Sequence, residues 1–150
     1  IILGGLGDDL LIGGDGNDKM KGNEGHDVIY GGAGDDQIYA ELGNNIINGG
    51  AGHDRLYAGG SDGSLFLFDA DTLGFTDKLF DFAFAKDDVL DFSRLAEGDA
   101  TFALHFGTGA QSDILQVVSQ GQTYNLIQFV RTDVLGMSVE TLIESGHFVV

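Results

Sequence analysis

Six short polar side chains recur at a fixed interval of nine residues: Asp9, Asp18, Asp27, Asp36, Asn45 and Asp54. Two positions before each stands a glycine, Gly7, Gly16, Gly25, Gly34, Gly43 and Gly52. Two positions after each stands an apolar residue, Leu11, Met20, Ile29, Ile38, Ile47 and Leu56. The unit reads Gly-Gly-x-Gly-x-Asp-x-apolar-x, and its phase holds six times without a slip. Carboxylates repeated in this way repel one another wherever the fold stacks them, and stacked like charges demand a cation. Calcium takes about six to eight oxygen ligands at roughly 2.3–2.6 Å, which two carboxylates and glycine-exposed turn carbonyls can supply. Magnesium suits such a site less well, because it holds its waters and wants a stricter octahedron.

The elements that must position these groups follow from the period. Nine residues with one apolar position leave room for a three-residue strand and a six-residue turn, and the turn needs glycine where its backbone takes positive φ. One unit makes half a coil and two units close a coil of eighteen residues. Alternate units therefore stack in the same sheet, Leu11 over Ile29 over Ile47 on one side and Met20 over Ile38 over Leu56 on the other. The same spacing pairs Asp9 with Asp27, Asp18 with Asp36, Asp27 with Asn45 and Asp36 with Asp54. The expected metal ligands are Asp9, Asp18, Asp27, Asp36, Asn45 and Asp54, with the turn glycines Gly5, Gly7, Gly14, Gly16, Gly25, Gly32, Gly34 and Gly49, for about four or more calcium ions.

Two plainer readings compete. A flexible acidic glycine-rich linker has no reason to keep an apolar residue at one phase six times running. A dinucleotide-binding loop requires a strand, turn and helix around its glycines, and none surrounds these. His26 and His53 fall at the variable fifth position and read as exposed turn residues. Some units depart from the pattern. The third has Asn23 for its second glycine, a mild change because asparagine tolerates positive φ. The fifth carries Ala40 and Glu41 in place of both leading glycines and Asn45 in place of aspartate, which weakens its site most. After Tyr57 the phase blurs into residues 58–63, so a seventh turn is at most partial.

Composition divides the chain near Gly63. Eighteen of the 25 glycines lie in residues 1–63, and all eleven phenylalanines, from Phe66 to Phe148, lie beyond. The expected domains are a metal-binding roll over 1–63 and a capping β-domain over 64–150. Acidic residues exceed basic ones by 24 − 7 = 17, a repulsion that opposes compaction unless counter-charge binds and that argues against nucleic acid as a partner. There is no cysteine, which excludes disulfides and thiolate metal sites. No apolar run reaches the roughly 18–20 residues that span a bilayer, so no membrane insertion is expected. The chain starts inside the repeat pattern without methionine, as a fragment of a longer protein would, and a monomer is expected.

Beyond Gly63 the text changes to short strand-like runs: residues 65–68, 78–84, 101–106, 113–118 and 123–130, with Phe80, Phe82 and Phe84 in clear alternation. Period-two segments of this length predict antiparallel strands, with Gln120-Gly121 as a hairpin turn. Ser138 is placed to cap a short helix that buries Leu142 and Ile143 and ends at Gly146. The fold class expected is all-β: a parallel β-roll (β-solenoid) of nonapeptide repeats, then a small antiparallel β cap with a short C-terminal helix. An open-ended stack exposes backbone and apolar residues and needs such a cap.

With both halves in view, the chain resembles the C-terminal region of RTX proteins exported by bacterial type I secretion. The repeats carry the likeness in front. Behind them, Thr76-Asp77-Lys78-Leu79-Phe80-Asp81-Phe82 and Asp87-Asp88-Val89-Leu90-Asp91-Phe92-Ser93-Arg94-Leu95 resemble the cap motif of that family. The resemblance implies calcium as cofactor, a further calcium contact at Asp77, and a secreted or cell-surface location on a bacterium. It also implies an uncleaved export signal over about residues 133–150, recognised by an ABC transporter complex. The parent implied is a large exported adhesin; the alternative is a secreted metalloprotease, lipase or polysaccharide epimerase with this module as its tail. The chain itself shows no His-Glu-x-x-His, Gly-x-Ser-x-Gly or cysteine nucleophile, and His105 and His147 sit in apolar strand-like contexts, so no catalysis is expected of it. Direct carbohydrate binding has little support from so acidic a surface.

Overall fold

The computed structural model describes residues 1–60, 62–83, 87–95, 101–105, 114–119, 122–130 and 139–150. Seven strands fill the repeats: β1 (Ile2–Leu6), β2 (Leu10–Asp15), β3 (Lys19–Glu24), β4 (Val28–Ala33), β5 (Gln37–Leu42), β6 (Ile46–Ala51) and β7 (Arg55–Tyr57). Odd strands enter one sheet and even strands the other, because each unit turns the chain through half a coil. Pairing is parallel with an offset of eighteen residues, so Leu11, Ile29 and Ile47 fall in register, as do Met20, Ile38 and Leu56. All six are buried. β1 to β6 are longer than the three residues expected, and β7 matches that length. In β2, β4 and β6 the ladder runs on through Gly14, Gly32 and Gly50. Without side chains, these glycines let neighbouring backbones stay close enough to remain paired, so the turn proper shrinks to about three residues.

The roll does not stop at Gly63. β8 (Leu65–Leu67) adds in parallel to β6, and β9 (Asp77–Phe80) adds in parallel to β7. β10 (Val89–Asp91) then pairs with β8, and the last strand, β14 (Phe148–Val149), pairs with β10. β8 and β9, which fall in the runs at 65–68 and 78–84, are thus parallel, not antiparallel as the alternation suggested. Loops inserted after Tyr57 and Phe68 lengthen the coil without reversing it, so each strand still arrives from the opposite sheet. Among the described residues antiparallel pairing is confined to β11 (Thr101–His105), β12 (Ile114–Ser119) and β13 (Gln122–Val130), and β13 joins the roll by parallel pairing with β9. The result is an eight-stranded sheet, β1-β3-β5-β7-β9-β13-β12-β11, facing a six-stranded sheet, β2-β4-β6-β8-β10-β14. Both sheets run unbroken past residue 63.

Two apolar columns fill the space between them. One is Leu11, Ile29, Ile47, Phe66, Leu90 and Phe148; the other is Ile2, Met20, Ile38, Leu56, Leu79 and Phe129. The step from leucine and isoleucine to phenylalanine marks where the coil widens and more volume must be filled. Phe82, Phe68 and Phe92 complete the wide end, with Phe82 lying between Phe66 and Phe129. On the outer surface Tyr39, Tyr57 and Phe80 stack face to face, 4.3 and 4.4 Å between successive ring centroids.

A short helix, α1 (Val139–Glu144), precedes β14, and Gly146, at φ +81°, ends it with its N–H donating to the Ile143 carbonyl. Ile143 is 39 % exposed and does not face inward as expected; a six-residue helix beside a two-residue strand has little apolar surface to lie against. Phe84, Gln120-Gly121, the Ser138 cap and the start of the 133–150 segment lie outside the described residues, as does the Leu142 side chain. No described helix is long and apolar enough to cross a membrane.

Ile38 lies fully buried between Met20 and Leu56 in a core one residue thick. Ile38→Ala is expected to cost about 2–5 kcal/mol, read as a lowered urea midpoint in saturating calcium.

Candidate metal centre

The nine-residue phase puts the fifth and sixth residues of each unit at the sheet edges, where the chain crosses from one sheet to the other. The sixth-position carboxylates reach down the stack. The backbone N–H of Asp9 donates to Asp27 Oδ1 at 2.9 Å, and that of Asp27 to Asn45 Oδ1 at 2.8 Å. On the opposite edge Asp18 N–H donates to Asp36 Oδ1 at 2.7 Å, Asp36 to Asp54 Oδ1 at 2.8 Å, and Asp54 to Asp77 Oδ1 at 3.0 Å. The structure therefore assembles the expected residues into two rows, Asp9–Asp27–Asn45 and Asp18–Asp36–Asp54–Asp77. Asp77 joins the second row although its spacing from Asp54 is 23 residues, not eighteen.

Oδ1 of Asp27, Asp36, Asp54 and Asp77 is thereby used. The other, Oδ2, is buried and accepts no hydrogen bond in Asp9, Asp27, Asp36, Asp54 and Asp77. In Asp9, Asp27, Asp36 and Asp54 it points into a small cradle under the first glycine of its own unit. A Cβ placed on Gly4 would meet Asp9 Oδ2 at 2.9 Å and the Gly22 carbonyl oxygen at 2.6 Å. Gly13 faces Asp18 Oδ2 and the Gly31 carbonyl, Gly22 faces Asp27 Oδ2 and the Ala40 carbonyl, and Gly31 faces Asp36 Oδ2 and the Gly49 carbonyl. Four cradles thus bring a carboxylate oxygen against a carbonyl of the next coil. Two acceptors that face each other in a buried space repel unless something positive lies between them. A hard cation fits this donor set. Among the described residues no three Asp, Glu, His or Cys side chains converge on one point, so backbone carbonyls must supply much of any shell, as calcium tolerates and magnesium does not.

The glycines expected as ligands divide into two roles. Gly5, Gly14 and Gly32 at the second position, and Gly7, Gly16, Gly25 and Gly34 at the fourth, all adopt positive φ and shape the turn. Asn23 at φ +74° and Glu41 at φ +67° take the same conformation in the third and fifth units. Gly49 instead occupies a first position, where it leaves room for Asp54 Oδ2; Gly50 and Gly52 are the positive-φ glycines of that unit.

Electrostatics sharpen toward the C-terminal end of the second row. Burial, with the charge of Asp18 nearby, raises the Asp36 carboxyl above its ordinary range against the opposing Asp18 N–H. Burial and the neighbouring Asp36 charge push Asp54 to about 6. Asp77, fully buried and beside Asp54, is raised well above the usual carboxylate range by that burial first and the Asp54 charge second. In a metal-free fold each of these groups holds its proton more tightly than an exposed aspartate does, since ionisation adds charge to a buried row.

Comparison with known proteins bears on this geometry. The family described as RTX calcium-binding nonapeptide repeat (4 copies) matches residues 3–38 and again residues 30–65. Residues 3–65 are RTX calcium-binding repeats. RTX repeats are typical of secreted or extracellular bacterial proteins. No curated protein matches the chain. Among solved structures, the solution structure of the AlgE6R3 subunit from the Azotobacter vinelandii mannuronan C5-epimerase is similar over 96% of this chain and 78% of its own, at 23% identity and a TM-score of 0.48. At that distance the likeness carries no argument about activity.

Two sets of residues escaped the nine-residue scan. Asp88, buried, continues the first edge above Ser64, whose N–H donates to Asp88 Oδ1 at 2.7 Å. The signal was local: Asp77-Lys78-Leu79 and Asp88-Val89-Leu90 both keep the Asp-x-apolar core of an RTX unit after its glycines are gone. The fifth-position residues form the second set, an outer ladder that reaches up the stack. Asp8 Oδ1 accepts from His26 N–H, Asn17 Oδ1 from Asp35 N–H and Asp35 Oδ1 from His53 N–H. His26 and His53 are exposed, as expected, and continue it: their Nδ1 atoms accept from the N–H groups of Asn44 and Thr76.

The raised carboxyls set a pH dependence for the chelated protein. A folded-state value above the unfolded one adds stability that is full below about pH 4 and is lost as pH rises, for Asp54 through about 6. In chelator the β signal in circular dichroism is expected to be largest at about pH 4 and to be lost as pH rises through about 6, and Asp54→Asn is expected to flatten that loss.

Proposed function

We propose that the chain is the calcium-triggered folding and export terminus of a larger bacterial protein, an adhesin in preference to a secreted enzyme. The observation that carries this is the set of buried carboxylate oxygens facing backbone carbonyls with no donor between them. Asp9, Asp18, Asp27, Asp36, Asp54 and Asp77 would hold the ions with turn carbonyls; the bound calcium would supply counter-charge and complete the oxygen shell. Without it, a repelling glycine-rich chain cannot offset its ordering entropy, which suits passage through a narrow channel from a cytosol poor in calcium.

The energetics are adequate. Extracellular calcium modules have dissociation constants of roughly 10⁻⁴ to 10⁻³ M. A tenfold excess of ion gives about 1.4 kcal/mol per site, or about 6 for four sites, which is comparable to a whole domain's stability. The C-terminal segment fits the same order of events. Phe148 is buried and β14 is paired with β10, so a transporter that reads residues 133–150 would have to do so before the roll closes. Folding outside then removes the segment from reach. The module acts as a monomer, with the transporter complex as its partner, and carries no catalytic role.

A circular dichroism titration from chelator checks the switch. A cooperative gain of β signal at submillimolar to millimolar calcium, absent with magnesium, is expected. A fold already complete in chelator would remove the trigger and with it this reading.

A further inference from the structure

The fifth RTX unit differs from its neighbours in a way that is chemical as well as conformational. Asn45 is buried, and all of its side-chain capacity toward the turn is used. Its Oδ1 accepts the Asp27 N–H at 2.8 Å, as an aspartate would. Its Nδ2 stands where the other units carry the unpartnered Oδ2, and it donates to the carbonyl oxygens of Gly43 at 3.1 Å and Ala40 at 3.4 Å. The amide hydrogens thus supply the positive charge density that the carbonyls of the other turns lack. Independently, the first position of this unit is Ala40, fully buried. It carries a Cβ where Gly22, Gly31 and Gly49 have none, and at those three positions a Cβ would clash with the Oδ2 of Asp27, Asp36 and Asp54.

We infer that Asn45 is a built-in substitute for an ion: the fifth turn takes no calcium, and the row through Asp9 and Asp27 ends there. This rests on the calcium-binding reading above and deepens it by assigning which rung stays metal-free. Beyond Asn45 the same edge continues on protein hydrogen bonds alone. Asp88 spends Oδ1 on the Ser64 N–H and Oδ2 on the Ala83 N–H, at 2.7 and 2.8 Å. The opposite row, Asp18 to Asp77, has no such interruption. The two edges of one roll therefore differ, one dependent on calcium up to Asp77 and the other only over its first two rungs.

Equilibrium dialysis of the whole chain against saturating calcium, with bound metal counted by elemental analysis, tests this. The double variant Ala40→Gly with Asn45→Asp is expected to hold one more ion than the parent chain. An unchanged count in a folded variant overturns the inference. Should the double variant fail to fold, Asn45→Ala decides the matter: an unchanged count supports a metal-free rung, and the loss of one ion shows that Asn45 was a ligand. If the parent chain binds no calcium at all, it is the functional reading that fails, not the assignment of the rung.

Discussion

The rest of the molecule is organised around pairs of oxygen atoms that face each other in buried cradles with no hydrogen between them. A carboxylate Oδ2 and a carbonyl of the next coil can share such a space only around a cation, and that requirement propagates outward. It leaves no room for a Cβ, hence the first-position glycine. The chain must turn sharply between that glycine and the carboxylate, which brings positive φ at the second and fourth positions. The carboxylate must also stand one coil above its counterpart, which fixes the eighteen-residue parallel register. What remains for burial is a single apolar residue per strand. Two columns so thin bury little surface against the ordering of so much glycine, so under the proposed function the roll and the ion are parts of one equilibrium.

The C-terminal half solves the same stacking problem with a different currency of interactions. Phenylalanine enters the columns at Phe66, Phe129 and Phe148 beside Leu79 and Leu90, and inserted loops lengthen the coil. Asp88, in a position that matches the repeat aspartates, satisfies both oxygens with backbone N–H groups and needs nothing else. Three antiparallel strands end one sheet, while β14 ends the other. Asn45 lies at the transition, where a row built for metal becomes a row built from amides.

Much of the roll was legible because a fixed period constrains everything at once. Given nine residues, one glycine phase and one apolar phase, the sheets, the register and the pairing of Asp9 with Asp27 or Asp36 with Asp54 follow with little freedom. The cap was less legible because its period is gone. Alternation at Phe80 and Phe82 signals a strand without saying whether its neighbour runs parallel or antiparallel. Only the next connection decides that, and loop insertions hid the fact that the coil continued. Asp88 was missed for the same reason: its distance from Ser64 is 24 residues, outside any nine-residue frame. The outer ladder of Asp8, Asn17, His26, Asp35 and His53 was hidden by variety, since residues so unlike in charge share only the ability to accept one hydrogen bond.

The strands of this roll lie across the long axis of the stack, and the hydrogen bonds between them lie along it. A pull on the two ends of the chain therefore loads one outermost rung at a time and peels coils in succession instead of shearing a whole sheet together. Each coil released in the repeat region yields eighteen residues, about 60 Å of extended chain, while the coils behind it stay closed. As a mechanical element such a stack would extend serially, one coil after another.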